Sequence, residues 1–183
     1  MWRNAVVAAT ALCLVVTVAA GVRTSRADFR DTTDNLGSLF ATGTISVGTD
    51  GARLDIDVRG LEPTTTVEDC VEVVYEGDLD PVRVRLFSDG LRSGGLEDYL
   101  LVRIEEGSST GGRCDGFVPS QVVFDGTASQ LLARHRSAAS AFSSWDAASV
   151  GASLSYRVRI GVMDDDRAQG LETAFELVAE AAL

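Results

Sequence analysis

Alternating apolar and polar side chains run along Ser153-Leu154-Ser155-Tyr156-Arg157-Val158-Arg159-Ile160-Gly161-Val162. The apolar members, from Leu154 to Val162, fall on every second position, with serines and arginines between them. Because side chains alternate across the two faces of a strand, this period of two predicts a half-buried β-strand. A sheet with one apolar face needs a second layer to cover it, so this stretch indicates a layered β fold.

Six further segments carry strand signals: Gly43–Val47, Ala52–Val58, Val67–Tyr75, Val82–Phe87, Tyr99–Ile104 and Thr173–Ala181. Two turn-forming clusters, Gly48–Gly51 and Glu76–Pro81, predict that the first two segments form one hairpin and the next two another. Tyr99–Ile104 is continuously apolar enough for a strand buried on both faces, and the composition of Thr173–Ala181 would also suit a helix. Seven or eight short strands predict an all-β fold, an antiparallel β-sandwich.

The region between the fifth and sixth of these strand signals differs in composition. Thr127–Arg136 predicts a short helix capped by Asp125 or Thr127. Ser137–Ser149 is rich in serine and alanine and predicts a loop. The predicted sandwich therefore carries one short helical and loop insert.

The first 27 residues predict a secretory signal peptide. Arg3 precedes an uncharged run, residues 5–22, and small residues allow cleavage after either Ala20 or Ala27. The run is long enough that retention as a membrane anchor is the alternative. Cleavage after Ala27 leaves residues 28–183 as a single sandwich domain that begins at Asp28 and has no stable membrane insertion.

Charge and cysteine content restrict the function of the mature chain. It has 13 arginines against 27 acidic residues, a net charge of −14, which would repel nucleic acid and anionic lipid. Cys13 is lost with the signal peptide, which leaves Cys70 and Cys114. An even pair in an exported chain predicts a structural disulfide, rather than two free thiols or a metal site.

Catalytic and metal-binding signals are sparse. His135 is the only histidine, so a zinc-protease motif is absent, and we expect an exposed surface side chain. Asp164, Asp165 and Asp166 are weak candidates for Ca²⁺ ligands, because calcium prefers oxygen donors, but acidic turns are common for solubility alone. We predict no enzyme activity, no cofactor and no other metal ligands.

One N-terminal spacing is specific enough to suggest a family. Phe-x-Asp-x-x-x-Asn-x-Gly-x-x-Phe-x-x-Gly-Thr-Ile begins at Phe29 and ends at Ile45. This pattern resembles the start of mature TasA/camelysin proteins, which are secreted biofilm-matrix fibre subunits. The segments Gly60–Thr64 and Val73–Asp80 are also similar to the family, although Gly60 and Glu76 replace its usual asparagines and Thr64-Thr65 replaces Gly-Asp.

The resemblance implies a jelly-roll-like sandwich, cleavage after Ala27 by a dedicated signal peptidase, and assembly into extracellular or cell-surface fibres. We predict self-association by strand donation, in which residues 28–40 of one subunit join a sheet of the next. The apolar side chains for this contact are Phe29, Leu36, Leu39 and Phe40. The alternatives are a camelysin-like metalloendopeptidase and a monomeric adhesion module with Phe142 and Trp145 as a carbohydrate platform.

Overall fold

A computed structural model describes residues 43–48, 51–78 and 82–183 of the chain. These residues form nine strands, one α-helix and three short 3-10 turns. The strands and helix are β1 (Gly43–Val47), β2 (Ala52–Val58), β3 (Thr66–Tyr75), β4 (Val82–Gly94), β5 (Leu100–Ser108), β6 (Val118–Thr127), α1 (Ala128–Arg134), β7 (Ser143–Ala147), β8 (Ser153–Val162) and β9 (Glu172–Ala182).

The strands make two packed sheets, ordered β1-β3-β8-β5-β6 in the first sheet and β2-β9-β4-β7 in the second. Strands β2 to β5 pair antiparallel with β9 to β6 in nested order: β2 with β9, β3 with β8, β4 with β7 and β5 with β6. A long antiparallel ribbon rolled into two sheets in this way is a jelly-roll arrangement. The predicted all-β, jelly-roll-like sandwich is therefore confirmed, with β1 added parallel to β3 at one edge.

Strand β8 occupies the centre of the first sheet, as its alternation predicted. Tyr156, Val158 and Ile160 are buried in the core between the sheets, and β8 pairs with β3 on one side and β5 on the other. Strand β9 has the same position in the second sheet, where Phe175 and Leu177 face the core. The strand predicted for Thr173–Ala181 is confirmed, and the helix that its composition would also suit is wrong. The backbone of β9 pairs with β2 on one side and with β4 on the other.

Both predicted hairpins were wrong. Strand β1 belongs to the first sheet and β2 to the second, so β1 pairs with β3 and not with β2. Likewise β3 pairs with β8 while β4 pairs with β7 and β9. The prediction that β5 is buried on both faces was also wrong, because Leu101 is 45% exposed on the outer face.

The helical insert is confirmed, and the loop after it is partly a strand. Thr127 caps α1: its hydroxyl accepts a hydrogen bond from the Gln130 backbone, and the Gln130 side chain accepts one from the Thr127 backbone. Ser143–Ala147 forms β7 at the edge of the second sheet, in the segment predicted to be a loop. Strand β6 had no counterpart among the predicted strands.

Several predictions fall outside the described residues. These are the signal peptide at 1–27, the cleavage site between Ala27 and Asp28, and the donated segment 28–40 with Phe29, Leu36, Leu39 and Phe40. Among the residues that are described, no helix combines the length and the apolar character that crossing a bilayer requires.

Candidate functional site

The acidic turn after β8 does not gather its carboxylates around one point. Asp165 accepts hydrogen bonds from the side chain and backbone N–H of Arg167, which hold the pKa of Asp165 at about 2. Asp166 accepts from the side chain of Gln169, while Asp164 is exposed. Asp165 thus caps the short 3-10 turn Asp166–Ala168, and its charge is already balanced by Arg167.

His135 is a packing residue and not the exposed side chain that the sequence suggested. Its ring packs edge-on against Phe124 and Phe142, with centroid distances of 5.7 and 6.0 Å. Its Nδ1 lies 2.7 Å from the carbonyl oxygen of Ser140, so Nδ1 carries the proton and donates. Over the described part of the chain, no group of three or more His, Cys, Asp and Glu side chains is placed to hold a metal ion.

The two aromatics of the insert face inward and do not make an exposed platform. Phe142 is buried, and Trp145 lies on β7 opposite the fully buried Val84, on the core side of the sheet. This placement agrees with the interpretation of residues 137–149 as a segment pinned to the core by its two aromatics, and it contradicts the alternative in which both stand on an exposed loop. This arrangement removes the structural basis for stacking a sugar on Phe142 and Trp145.

A polar cluster lies beside these aromatics, where β6 and β7 form the edges of the two sheets. The Ser143 hydroxyl donates to Glu106 across 2.8 Å, and the Tyr156 hydroxyl lies 2.9 Å from Ser143. Glu106 also accepts from Gln121 on β6. Burial raises the pKa of Tyr156, and the nearby Glu106 charge acts in the same direction. Tyr156 therefore stays neutral and acts as a packing residue of the core, since none of the described side chains is placed as a base that could ionise it.

The predicted disulfide between Cys70 and Cys114 is confirmed, with a Cα–Cα distance of 5.1 Å. It ties the segment 109–117, between β5 and β6, to the middle of β3 on the outer face of the first sheet. We call this segment the tethered loop. Two further contacts hold it. The backbone N–H of Ser109 donates a hydrogen bond to the Ser155 hydroxyl, and the Phe117 ring stacks on the guanidinium of Arg157, with 4.8 Å between the ring centroid and Cζ.

The tethered loop covers a charged cluster that lies on the sheet beneath it. Glu105, only 6% exposed, accepts two hydrogen bonds from Arg157, at 2.7 and 2.9 Å. Arg159 and Arg103 approach the same carboxylate at 3.4 and 3.5 Å. Burial works to raise the pKa of Glu105, but the hydrogen bonds and charge of these arginines hold it below its usual value. We call these four residues the Glu105 cluster.

The two edge strands of the first sheet, β1 and β6, form the candidate contact surface. Strand β6 pairs only with β5 among the described strands, and its residues from Val118 to Val122 are all exposed. No charged residue occurs between Gly116 and Phe124. At the opposite edge of the same sheet, β1 is the strand that directly follows the predicted donor segment 28–40.

Two features of β6 restrict pairing at its free edge. Pro119 lacks a backbone donor, and the register with β5 shifts twice, after Ile104 and after Glu106. Proline and bulges are devices by which natural sheets avoid indiscriminate edge pairing. Any strand that joins β6 must therefore match an interrupted pattern of donors and acceptors.

The grouping of Glu105, Arg157 and Phe117 was not predicted from the sequence. One signal was available, because Glu105 interrupts the apolar run of β5 and a buried carboxylate needs cationic partners. The position of Phe117, three residues after Cys114, also suggests a side chain folded back beside the disulfide. Arg157 could not be singled out, since alternating arginines on β8 look alike in the sequence.

Comparison with known proteins assigns no family. No model of a known protein family and no curated protein matches the chain. The chain is similar to the crystal structure of Aeromonas hydrophila PliG, a periplasmic lysozyme inhibitor of g-type lysozyme. The similarity covers 78% of this chain and 100% of PliG, at 11% sequence identity and a TM-score of 0.32. Similarity at this level carries no information about activity, and membership of the TasA/camelysin family stays a prediction.

Proposed function

We propose that this chain is a secreted, non-enzymatic structural protein that forms the subunit of extracellular-matrix or cell-surface fibres. In this proposal residues 28–40 of one mature subunit add a strand to a sheet of the next. The observation that carries it is the placement of β1 and β6 at opposite edges of one sheet. In the sequence the donor segment precedes β1, the strand at one edge, and in this proposal the β6 edge receives the donor of a neighbour.

This placement favours an open chain of subunits over a closed dimer. A contact between one edge and the opposite edge of the next copy is head-to-tail, and such contacts extend into filaments unless the rotation between copies closes a ring. An added strand would satisfy the unpaired backbone groups of β6 through main-chain hydrogen bonds. The interruptions at Pro119 and at the two register shifts would make this edge selective for one entering sequence.

Charge supports the choice of β6 as the accepting edge. Subunits of net charge −14 repel one another, so contact is least unfavourable where the surface carries no charge. Residues 116–124 provide such a stretch, and Val118 and Val122 add exposed apolar area. Burial of Phe29, Leu36, Leu39 and Phe40 against a neighbour would contribute about 1.5–3 kcal/mol for each fully buried side chain. Salt or mild acid should promote assembly by weakening the repulsion.

The test removes donor and acceptor separately. Deletion of residues 28–35 from the mature protein, and Val122→Lys on β6, should each abolish filament growth followed by light scattering and electron microscopy. Val150→Lys is the matched control, because Val150 is 65% exposed in the turn between β7 and β8. Circular dichroism checks folding. A folded deletion variant that polymerises as well as the mature chain would rule out N-terminal donation, and filaments of Val122→Lys would rule out β6 as the acceptor.

A further inference from the structure

We propose that the Cys70–Cys114 bridge is a thiol-exchange site at which a small external thiolate attacks the sulfur of Cys114. The product is a mixed disulfide on Cys114, a free thiol on Cys70 beneath it, and a tethered loop released from the sheet. This reaction would make Cys114 a reversible modification site on the outer face of the first sheet.

The two halves of the bridge differ in access to solvent. Cys70 lies in the middle of β3 and has no exposed surface, whereas Cys114 is half-buried in the tethered loop. The loop between Gly107 and Gly116 is rich in glycine and serine, and Gly111, Gly112 and Gly116 all adopt positive φ. Exchange depends on which sulfur an incoming thiolate reaches, so the fold directs attack to Cys114.

Charged side chains of both signs lie around Cys70 on the outer face of the first sheet. Cys70 lies directly opposite Arg157 on the neighbouring strand, and a nearby guanidinium stabilises a thiolate. Glu68 and Glu72 flank Cys70 along β3, but each is already engaged, Glu68 by Arg159 at 2.9 Å and Glu72 by the Ser153 hydroxyl at 2.9 Å. Arg157 is likewise engaged, by two hydrogen bonds to Glu105, so the choice of Cys70 as the leaving group rests on the burial of Cys70 and not on these charges.

The reaction conserves atoms and electrons. The thiolate RS⁻ forms a bond to Sγ of Cys114 as the Sγ–Sγ bond breaks, and the bonding pair leaves with Cys70, which then takes a proton from water. A second external thiol can release Cys114 as a thiol, with RSSR as the oxidised product. Alternatively, the Cys70 thiolate can attack Cys114 again and restore the bridge, because the sheet holds it in place.

Exchange at this bridge would change the surface beneath the loop. Apart from the disulfide, the Ser109–Ser155 hydrogen bonds and the Phe117–Arg157 contact hold the loop to the sheet. These contacts are few for a nine-residue loop with three glycines, Gly111, Gly112 and Gly116. Loss of the bridge should therefore expose Ser155, Glu105 and Arg157, which are all largely buried while the loop is closed.

The first experiment locates the adduct. The exported, oxidised protein is incubated with reduced glutathione, quenched with N-ethylmaleimide and digested without reduction, and the peptides are identified by mass spectrometry. We expect glutathione almost entirely on Cys114 and N-ethylmaleimide on Cys70. In denaturant the two sulfurs should react about equally, because only the fold distinguishes them. Adduct mainly on Cys70, the same selectivity after unfolding, or no adduct on the native protein would each overturn the proposal.

The second experiment follows the tethered loop itself. Cleavage by trypsin after Arg113 and amide hydrogen exchange of residues 109–117 are compared before and after glutathione treatment. Both should accelerate on treatment, and equally in a Cys70→Ser/Cys114→Ser variant, while β3 and β8 stay protected. If the strands lose protection together with the loop, the bridge supports the whole sheet and no local site exists. If the loop keeps its protection, exchange does not open it.

Discussion

Replacement of Glu105 by glutamine tests whether the covered charges on the first sheet stabilise the fold. The substitution keeps the shape of the side chain but removes the charge that Arg157, Arg159 and Arg103 share. Glu105 is 6% exposed and the Arg157 side chain is 14% exposed. Water can therefore replace few of the hydrogen bonds and little of the charge interaction that the substitution removes. Breaking one half of a buried ion pair costs roughly 3–5 kcal/mol, because the other charge is left without a partner.

The position of the cluster sets the magnitude within that range. Arg159 keeps its contact with Glu68, and Arg103 keeps Asp125, so only Arg157 is left without a carboxylate among the described residues. We therefore expect Glu105→Gln to lower the free energy of unfolding at neutral pH by about 3 kcal/mol. This loss corresponds to a decrease of about 1–2 M in the urea midpoint, at an m-value of about 2 kcal/mol/M.

The same carboxylate predicts a pH dependence. Because the pKa of Glu105 is lower in the folded chain than its usual value of about 4.3, its contribution is present above that value. The contribution is lost as the pH falls through the lower folded pKa. Glu105→Gln should therefore lose less stability than the parent protein on acidification, and the two urea midpoints should converge in acid. Equal acid sensitivity of the two proteins would contradict this assignment.

The matched control is Asp146→Asn. Its pair with Arg83 is as short, at 2.8 Å, but the two side chains are 67% and 52% exposed. Exposed pairs contribute little, so we expect no measurable change in the urea midpoint. If both variants lose the same stability, or if Glu105→Gln matches the parent protein, burial of the Glu105 cluster is not what makes it stabilising.

Three further substitutions test local backbone features by urea denaturation. Thr64 is the third residue of a turn and has a φ of +67°, which glycine adopts without strain. Thr64→Gly should therefore stabilise the folded chain by about 0.5–1 kcal/mol, a value that already subtracts the entropy that glycine adds to the unfolded chain. Thr65→Gly is the control and should only destabilise, because it adds the same entropy and relieves no strain. Gly107→Ala should lower the free energy of unfolding by about 1–3 kcal/mol, because the new Cβ would lie 2.1 Å from a carbonyl oxygen of β6. Gly48→Ala is the control, because a Cβ at Gly48 would have no atom within 4 Å. Thr127→Ala should cost about 1 kcal/mol by removing the cap of α1, with an unchanged midpoint as the contrary result.

The sequence predicted individual strands better than their partners. The alternation in β8 and β2 follows from burial of one face, which is a local property of each strand. Turn residues predict where the chain reverses but not whether it stays in the same sheet, and so both hairpins were wrong. Nested pairing over the whole chain joins β2 to β9, residues more than a hundred positions apart, and no local signal encodes that distance.

The missed strands have physical reasons that also bear on the site. Strand β6 carries Pro119 and two register shifts, which break the alternation by which an edge strand would be recognised. Strand β7 has five residues, two of them serines, and its apolar side chains are only Trp145 and Ala147. The disulfide was predictable because only two cysteines remain after the signal peptide, but the Glu105 cluster depends on which side chains the sheet register brings together.

The two outer faces of the sandwich are poor surfaces for contact between copies, which leaves the edges. On the second sheet Glu176 lies between Asp55 on one side and Asp89 on the other, a row of three carboxylates. Arg53 contacts Glu176 and lies 3.7 Å from Asp89, so these three carboxylates share one cation. The middle of the first sheet is covered by its own tethered loop. Two acidic copies that meet across this row of carboxylates would therefore add repulsion, whereas β6 offers an uncharged strand with an open backbone edge.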